Sequence, residues 1–280
     1  MKKILSLPYL RLGFLIFSSM AAVLQLIAAI ATLEKNSNYF ASSSPLPILA
    51  VACALLGASC GTLAAYKTNC ADLEKEPFSA SALPSHLSAV GFLAVAALFA
   101  QKSLTQANTL TSLITLVSLV AAVYAFLSAF SAVARKSRTL LALLGFAAVL
   151  SCILANAYYY FDATMEMNAP FKVSLQTALL CASLYFTGEI RFHLKRKQPR
   201  FFLVLATWTV ALGALSAPAI PIAFLIGRMD RADYAVGALS VLLLAVSAVM
   251  RMHALLHPQR FDNEDEDAPS QEETTGEDSL

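Results

Sequence analysis

The chain has 280 residues, of which 58% are hydrophobic and 14% charged, with a formal charge of +2 and a mean hydropathy of +0.65. Soluble domains carry charge on about a quarter of their residues, so water is excluded as the solvent for most of this chain. Net charge says little about partners, because nine of the 18 acidic residues follow Phe261 while most basic residues lie between apolar runs.

A bilayer core of roughly 30 Å is crossed by about 20 apolar residues in helical form. Eight runs reach or approach that length: Leu10 to Leu33, Pro47 to Tyr66, Pro84 to Ala100, Leu110 to Ala134, Thr139 to Phe161, Val173 to Gly188, Phe201 to Ile226 and Ala235 to Leu256. The first follows Met1, Lys2 and Lys3, as a cleaved secretory signal would. Its apolar stretch is longer than a signal core, so an uncleaved helix is expected. Pro47 and Pro84 suit a first helical turn, where the missing N–H would have no partner anyway.

In the second run Gly57, Gly61 and Ala65 form a small-residue face, able to pack inside the chain or to receive another membrane protein. In the fourth, Thr111, Thr115, Ser118, Ala122, Ala125 and Ala129 draw a weakly polar stripe that should face other helices; the other reading is a pore lining. The sixth run is short, but Lys172 and the turn from Glu189 to Leu194 can extend it, since long basic side chains snorkel to the interface. Its Lys172, Gln176, Ser183, Thr187 and Arg191 share one arc, expected to face the bundle interior. In the seventh, Pro218 and Pro221 remove intrahelical hydrogen bonds and predict a kink or opening near Ser216. Such a break frees carbonyls for a ligand or a neighbouring hydroxyl.

Counting basic residues by alternate connections sets the orientation. Fifteen fall on one side: Lys2, Lys3, Arg11, Lys67, Lys75, Arg135, Lys136, Arg138, Arg191, Lys195, Arg196, Lys197, Arg200, Arg251 and Arg260. Five fall on the other: Lys35, Lys102, Lys172, Arg228 and Arg231. The expected fold is therefore an all-α, polytopic transmembrane bundle of about eight helices in the cell membrane, with both termini cytoplasmic. Residues 1–260 form the bundle, and 261–280 an acidic cytoplasmic tail too polar to fold. The longest connection, Lys67 to Leu83, leaves no room for a soluble domain.

Cys53, Cys60, Cys70, Cys152 and Cys181 lack metal-like spacing and read as small buried hydrophobes. No glycine-rich phosphate loop or Gly-x-Ser-x-Gly elbow is present, so no cofactor and no nucleic-acid partner is expected. The densest polar and aromatic cluster runs from Asn156 through Tyr158, Tyr159, Tyr160, Asp162, Glu166, Asn168 and Lys172 to Gln176, at the outer face. With Ser216, Pro218 and Pro221 beside it, this cluster is the candidate site for a small polar or amphipathic ligand, in a sensor or transporter-like binder. Tyrosines also belong at membrane interfaces for general reasons.

Two alternatives come from other residues. Glu189, His193, His253 and His257 form two i,i+4 pairs that would suit zinc and a metal-dependent enzyme at the cytoplasmic face. Against this, Pro258 disfavours helix at His257 and no His-Glu-x-x-His motif occurs. The face of Gly57, Gly61 and Ala65 would instead suit an assembly subunit of a membrane complex. His86 has the look of a wet surface residue. The basic connection of Arg191, Lys195, Arg196, Lys197 and Arg200 is a topology signal and a contact for anionic lipid headgroups, worth about 1 kcal/mol per charge; the acidic tail could fold back on it.

The stretch from Tyr160 to Arg191, with Asn168-Ala169-Pro170-Phe171-Lys172, Gln176 and Glu189-Ile190-Arg191, resembles a group of uncharacterised bacterial eight-span membrane proteins. The resemblance implies an eight-helix membrane bundle and carries no activity with it.

Overall fold

The computed structural model describes residues 7–34, 39–41, 43–69, 82–106, 108–130, 136–194 and 198–256. Lys2, Lys3, Lys35, Cys70, Lys75, Arg135, Lys195, Arg196, Lys197, His257, Arg260 and the segment 261–280 lie outside the described residues. Among those described, the helices are α1 (Leu7–Ala31), α2 (Leu46–Lys67), α3 (Leu83–Gln106), α4 (Thr109–Ser128), α5 (Arg138–Phe161), α6 (Pro170–His193), α7 (Pro199–Ser216), α8 (Ala219–Leu225) and α9 (Ala232–Leu256). The only extended pairing among them is one isolated bridge between Leu33 and Phe40. Seven segments are long and apolar enough to cross a membrane, with α7 and α8 counting together as Pro199–Leu225. The chain is an all-α helical bundle of the multi-pass membrane type.

The remaining long helix, α6, also traverses the bundle. It runs antiparallel to α7, with Gly188 beside Phe202 and Thr209 Oγ1 donating to the Cys181 carbonyl at 3.0 Å. At 1.5 Å per residue it is about 36 Å long. Most of its circumference is buried, and Val173, Leu180 and Leu184 form a narrow exposed strip. A helix sheltered by its neighbours does not need an apolar residue at every position, which explains its lower apolar content. Its polar stripe is only partly interior. Lys172 and Ser183 are buried and Gln176 and Arg191 half-buried, but Thr187 is exposed. Neighbours on several sides, rather than one arc, set the buried face of α6; Thr187 sits on the exposed strip, its hydroxyl satisfied by the Ser183 carbonyl at 3.0 Å.

α1 pairs with α2, and both pack on α7. α7 packs in turn on α6 and α9, and α9 on α3, while the sequence α3, α4, α5, α6 closes a ring that α9 completes. Arg11 near the start of α1 and His253 near the finish of α9 line one groove, so the described chain starts and finishes at the same end of the bundle. That end is termed terminal here, and the opposite end distal.

Close helix approach rests on small residues. A Cβ on Gly57 would lie 2.8 Å from Ser18 Oγ, and one on Gly61 2.6 Å from Thr207 Cγ2. With Ala65 also buried, this face is spent on α1 and α7 within the chain. The assembly-subunit reading, which needed it to point outward, loses its support. The α4 stripe likewise faces helices: Thr111, Ser118, Ala122 and Ala125 are buried, and Ser118 Oγ meets Ser151 Oγ of α5 at 2.7 Å. Cys53 and Cys152 are buried free thiols, and Cys60 and Cys181 half-buried ones.

The seventh span is interrupted at Ala217 and Pro218, between Ser216 and Ala219. It does not open there, because Ala217 N–H still donates to the Gly213 carbonyl at 2.8 Å and Ala217 and Pro218 keep right-handed helical angles. Ala217 and Ala219 are fully buried. α8 then ends at Gly227, whose φ of 69° suits glycine, with Gly227 N–H bonded to the Phe224 carbonyl and Arg228 N–H to that of Ala223.

Overpacking typically costs about 1–3 kcal/mol. Gly61→Leu should therefore lower the unfolding midpoint in detergent, whereas Gly91→Ala, with its nearest neighbour at 3.4 Å, should barely move it. Equal midpoints for the two variants would show that α2 does not need its close approach to α7.

Candidate functional site

At the distal end, the described parts of the connection between α1 and α2 pair as a small cap, through an antiparallel bridge of Leu33 and Phe40. Glu34 N–H donates to the Tyr39 carbonyl and Ala41 N–H to that of Thr32, both at 2.8 Å. Tyr39 OH reaches Glu166 at 2.8 Å and also bonds Asn168 Oδ1. Phe40 stands edge-on to Phe171 at 5.4 Å, and Arg228 donates to the Leu33 carbonyl at 3.3 Å. Beneath, Leu33, Met165, Phe171, Ala217, Ile220 and Met229 form part of one buried cluster.

Of the sequence-predicted outer cluster, Glu166 and Asn168 hold this cap. Lys172, fully buried, donates to the Asp162 carbonyl at 2.7 Å and the Met165 carbonyl at 3.0 Å. Tyr159 OH donates to the Asp233 carbonyl at 2.9 Å, an approach open only because residue 237 is glycine. Ser216 is buried at the end of α7, and Pro218, Pro221 and Gln176 are half-buried. Asn156 differs from these, since its Oδ1 is buried without a hydrogen-bond partner among the described residues.

Beside the cap lies a charged network joining α3, α5 and the start of α9. Arg231 grips Asp233 with two bonds, from Nε at 3.0 Å and Nη2 at 2.8 Å, and reaches Asp162 Oδ2 at 2.6 Å. Lys102 Nζ pairs with Asp233 Oδ2 at 3.0 Å and donates to Tyr158 OH at 2.7 Å. Tyr234 OH donates to Asp162 at 3.1 Å. The carboxylates are sunk, at 4% side-chain exposure for Asp233, while Arg231 keeps 23% and Lys102 21%. Burial opposes the charge on Asp162, but bonds from Thr164 and Arg231 outweigh it and hold its carboxyl down at about 2. This contribution is fully present above the ordinary aspartate range and is lost only as pH falls through about 2. A cleft of about 330 Å³ opens against this network, lined by Gln101, Lys102, Thr105, Asp230, Arg231 and Asp233 among others.

A second ionic centre lies toward the terminal end, inside the helix ring. Glu189 of α6 and Arg251 of α9 are 0% and 1% exposed, with Arg251 Nε 2.9 Å from Glu189 Oε1. Tyr185 OH donates to Glu189 Oε1 at 2.5 Å and Tyr124 OH to Oε2 at 3.2 Å. Arg251 Nη2 donates to Ser85 Oγ at 2.9 Å, which also accepts from Ser128 Oγ at 3.1 Å. Four hydroxyls on α3, α4 and α6 thus meet around one charge pair between α6 and α9. A lone ion in hydrocarbon is costly, and two that are paired and hydrogen-bonded can be held.

This places the three described candidate metal ligands differently from a zinc site, His257 lying outside the described residues. Glu189 faces a guanidinium, His193 Nε2 lies 3.4 Å from Tyr124 OH, and His253 lines the terminal groove. Among the described residues no three His, Cys, Asp or Glu side chains gather as metal ligands. Arg191 bonds Gln198 at 2.6 Å and stacks over Phe201 at 5.2 Å, Arg200 is exposed, and His86 is exposed with Nδ1 2.8 Å from the Ala82 carbonyl.

Sequence reading missed Arg251 as the partner of Glu189, and Lys102 and Arg231 as partners of Asp233. All three cations had been assigned to topology. The usable signal was opposite charge at equal depth on two helices, since Glu189 and Arg251 each stand about a turn inside the same end. No protein-family model, curated protein or solved structure matches the chain. Residue chemistry alone therefore carries the functional reading.

Removing one member of a buried pair strands the other, at a cost of about 3–5 kcal/mol. Arg251→Met should accordingly destabilise the purified protein by that order in detergent unfolding, and Glu189→Gln added to it should restore part of the loss. Additive losses in the double variant would mean that the two side chains do not act as a pair.

Proposed function

We propose that this membrane protein is a binder, of sensor or transporter type, for a small charged or zwitterionic solute. Its site is the distal cleft rather than the space between the outer ends of the fifth, sixth and seventh spans. The observation that carries this reading is the cleft wall, where two half-exposed cations, Lys102 and Arg231, stand beside two carboxylates, Asp230 and Asp233. A solute carboxylate would compete for the cations and a solute ammonium for Asp230, so one small zwitterion satisfies both. Polar groups converging on a cleft at the end of a bundle are what a solute-binding site needs. Glu166 and Asn168, from the outer cluster, support this cleft indirectly by holding the cap beside it.

The three-to-one bias of basic residues supports a cell-membrane orientation with both termini in the cytoplasm and the cleft outside. In a chain with its native cysteines replaced, single cysteines at positions 195 and 230 report it. A membrane-impermeant thiol reagent applied to intact cells should label position 230 and leave position 195 untouched; the reverse pattern would invert the proposed orientation.

For the site, thermal unfolding of the full chain in nanodiscs with glycine, glutamate and lysine as probes is decisive. Binding at a hundred times Kd adds about 2.7 kcal/mol of stability, which gives a rise of several degrees for at least one probe. Asp230→Asn and Lys102→Ala should each abolish the rise. A flat response to all probes, or one that survives both substitutions, would remove the cleft as the site.

A further inference from the structure

The groove at the terminal end has a different chemistry from the distal cleft. It measures about 240 Å³. α1 and α9 both lean on α7, and the space between them is floored by Ala64 and Ala65 of α2 and by Leu203 of α7. Phe14 and Met252 form its walls, so its body is apolar. It begins at the helix ends and reaches Thr207, eight residues into α7, or about 12 Å deep. Its mouth carries Arg11 and His253.

An apolar groove beginning at the interface and running into hydrocarbon is shaped for an acyl chain, because an empty one forfeits its dispersion contacts. Any lipid tail would satisfy that need. Its mouth carries a guanidinium and an imidazole, which can pair with a headgroup phosphate. Among the described residues the same end of the bundle also carries Lys67, Lys136, Arg138, Arg191 and Arg200, which complement a negative headgroup rather than a neutral one.

We propose that this groove is a binding site for one anionic phospholipid, with an acyl chain along Ala64, Ala65 and Leu203 and the phosphate held by Arg11 and His253. The site is independent of the distal cleft. It is also separate from the basic connection that includes Arg191 and Arg200.

Native mass spectrometry tests this on the full chain released from nanodiscs made of equal parts phosphatidylglycerol and phosphatidylcholine. The wild type should retain one phosphatidylglycerol at least tenfold more often than phosphatidylcholine. Arg11→Gln with His253→Gln should bring the two to parity, and Val249→Phe, which fills the groove, should remove retained lipid of both kinds while the unfolding midpoint stays within a few degrees. Equal retention of the two lipids by the wild type overturns the proposal. So does selectivity that persists in the double variant.

Discussion

A charge carried into hydrocarbon has to bring its counter-charge with it, and the packing of α3 against α9 is organised around that requirement. Toward the distal end Lys102 meets Asp233. Fourteen residues back along α3 and fourteen forward along α9, Ser88 Oγ donates to Ser247 Oγ at 2.9 Å. One turn further Ser85 receives Arg251, which holds Glu189. Fourteen residues are close to four whole turns at 3.6 residues per turn, so these contacts stay on one face of each helix. Sliding α9 by a single residue would disturb both ion pairs, and sliding α3 would disturb the Lys102–Asp233 pair and the bond from Arg251 to Ser85. The charges therefore set the register of the seam, which apolar contacts between helices in lipid specify only weakly.

The two ionic centres do this under different conditions. The distal network keeps two cations half-exposed beside a cleft and is built largely from residues near helix ends, where side chains can rearrange toward water. The Glu189 and Arg251 centre is enclosed by Tyr124, Tyr185, Ser85 and Ser128, with a tyrosine hydroxyl on each carboxylate oxygen. One is suited to exchanging partners with a solute, the other to holding the ring closed. The cap at Tyr39 supports the first by fixing the 162–169 connection, from which Asp162 reaches Arg231.

Much of the architecture was legible from apolar periodicity and length. Most of the eight runs correspond to the long helices within a few residues, the small-residue face of α2 and the stripe of α4 are packing seams, and the helix of the seventh span is interrupted beside Pro218. The differences have local causes. α3 continues to Gln106, past its apolar run, because Lys102 is anchored by Tyr158 and Asp233. Helix α4 ends at Ser128, short of the end of its run. The site was far less legible. Arg251 and Lys172 count as interfacial cations in any tally of connections, yet both are buried, one by a carboxylate on another helix and the other by two carbonyls of the connection before it. Pairings of this kind depend on which helices become neighbours, and hydropathy along a chain contains no information on that.

α6 has a consequence for how the protein is made. It carries Lys172, Glu189, Arg191 and His193, each of which raises the free energy of entering the bilayer as a single segment leaving the translocon. Its partners, Tyr124 on α4 and Arg251 on α9, come from segments synthesised before and long after it. Full pairing of the α6 charges thus waits for α9, the last of the described helices. A ribosome stalled before α9 would leave behind a seven-span intermediate with an orphaned glutamate, the kind of species that membrane quality-control proteases remove.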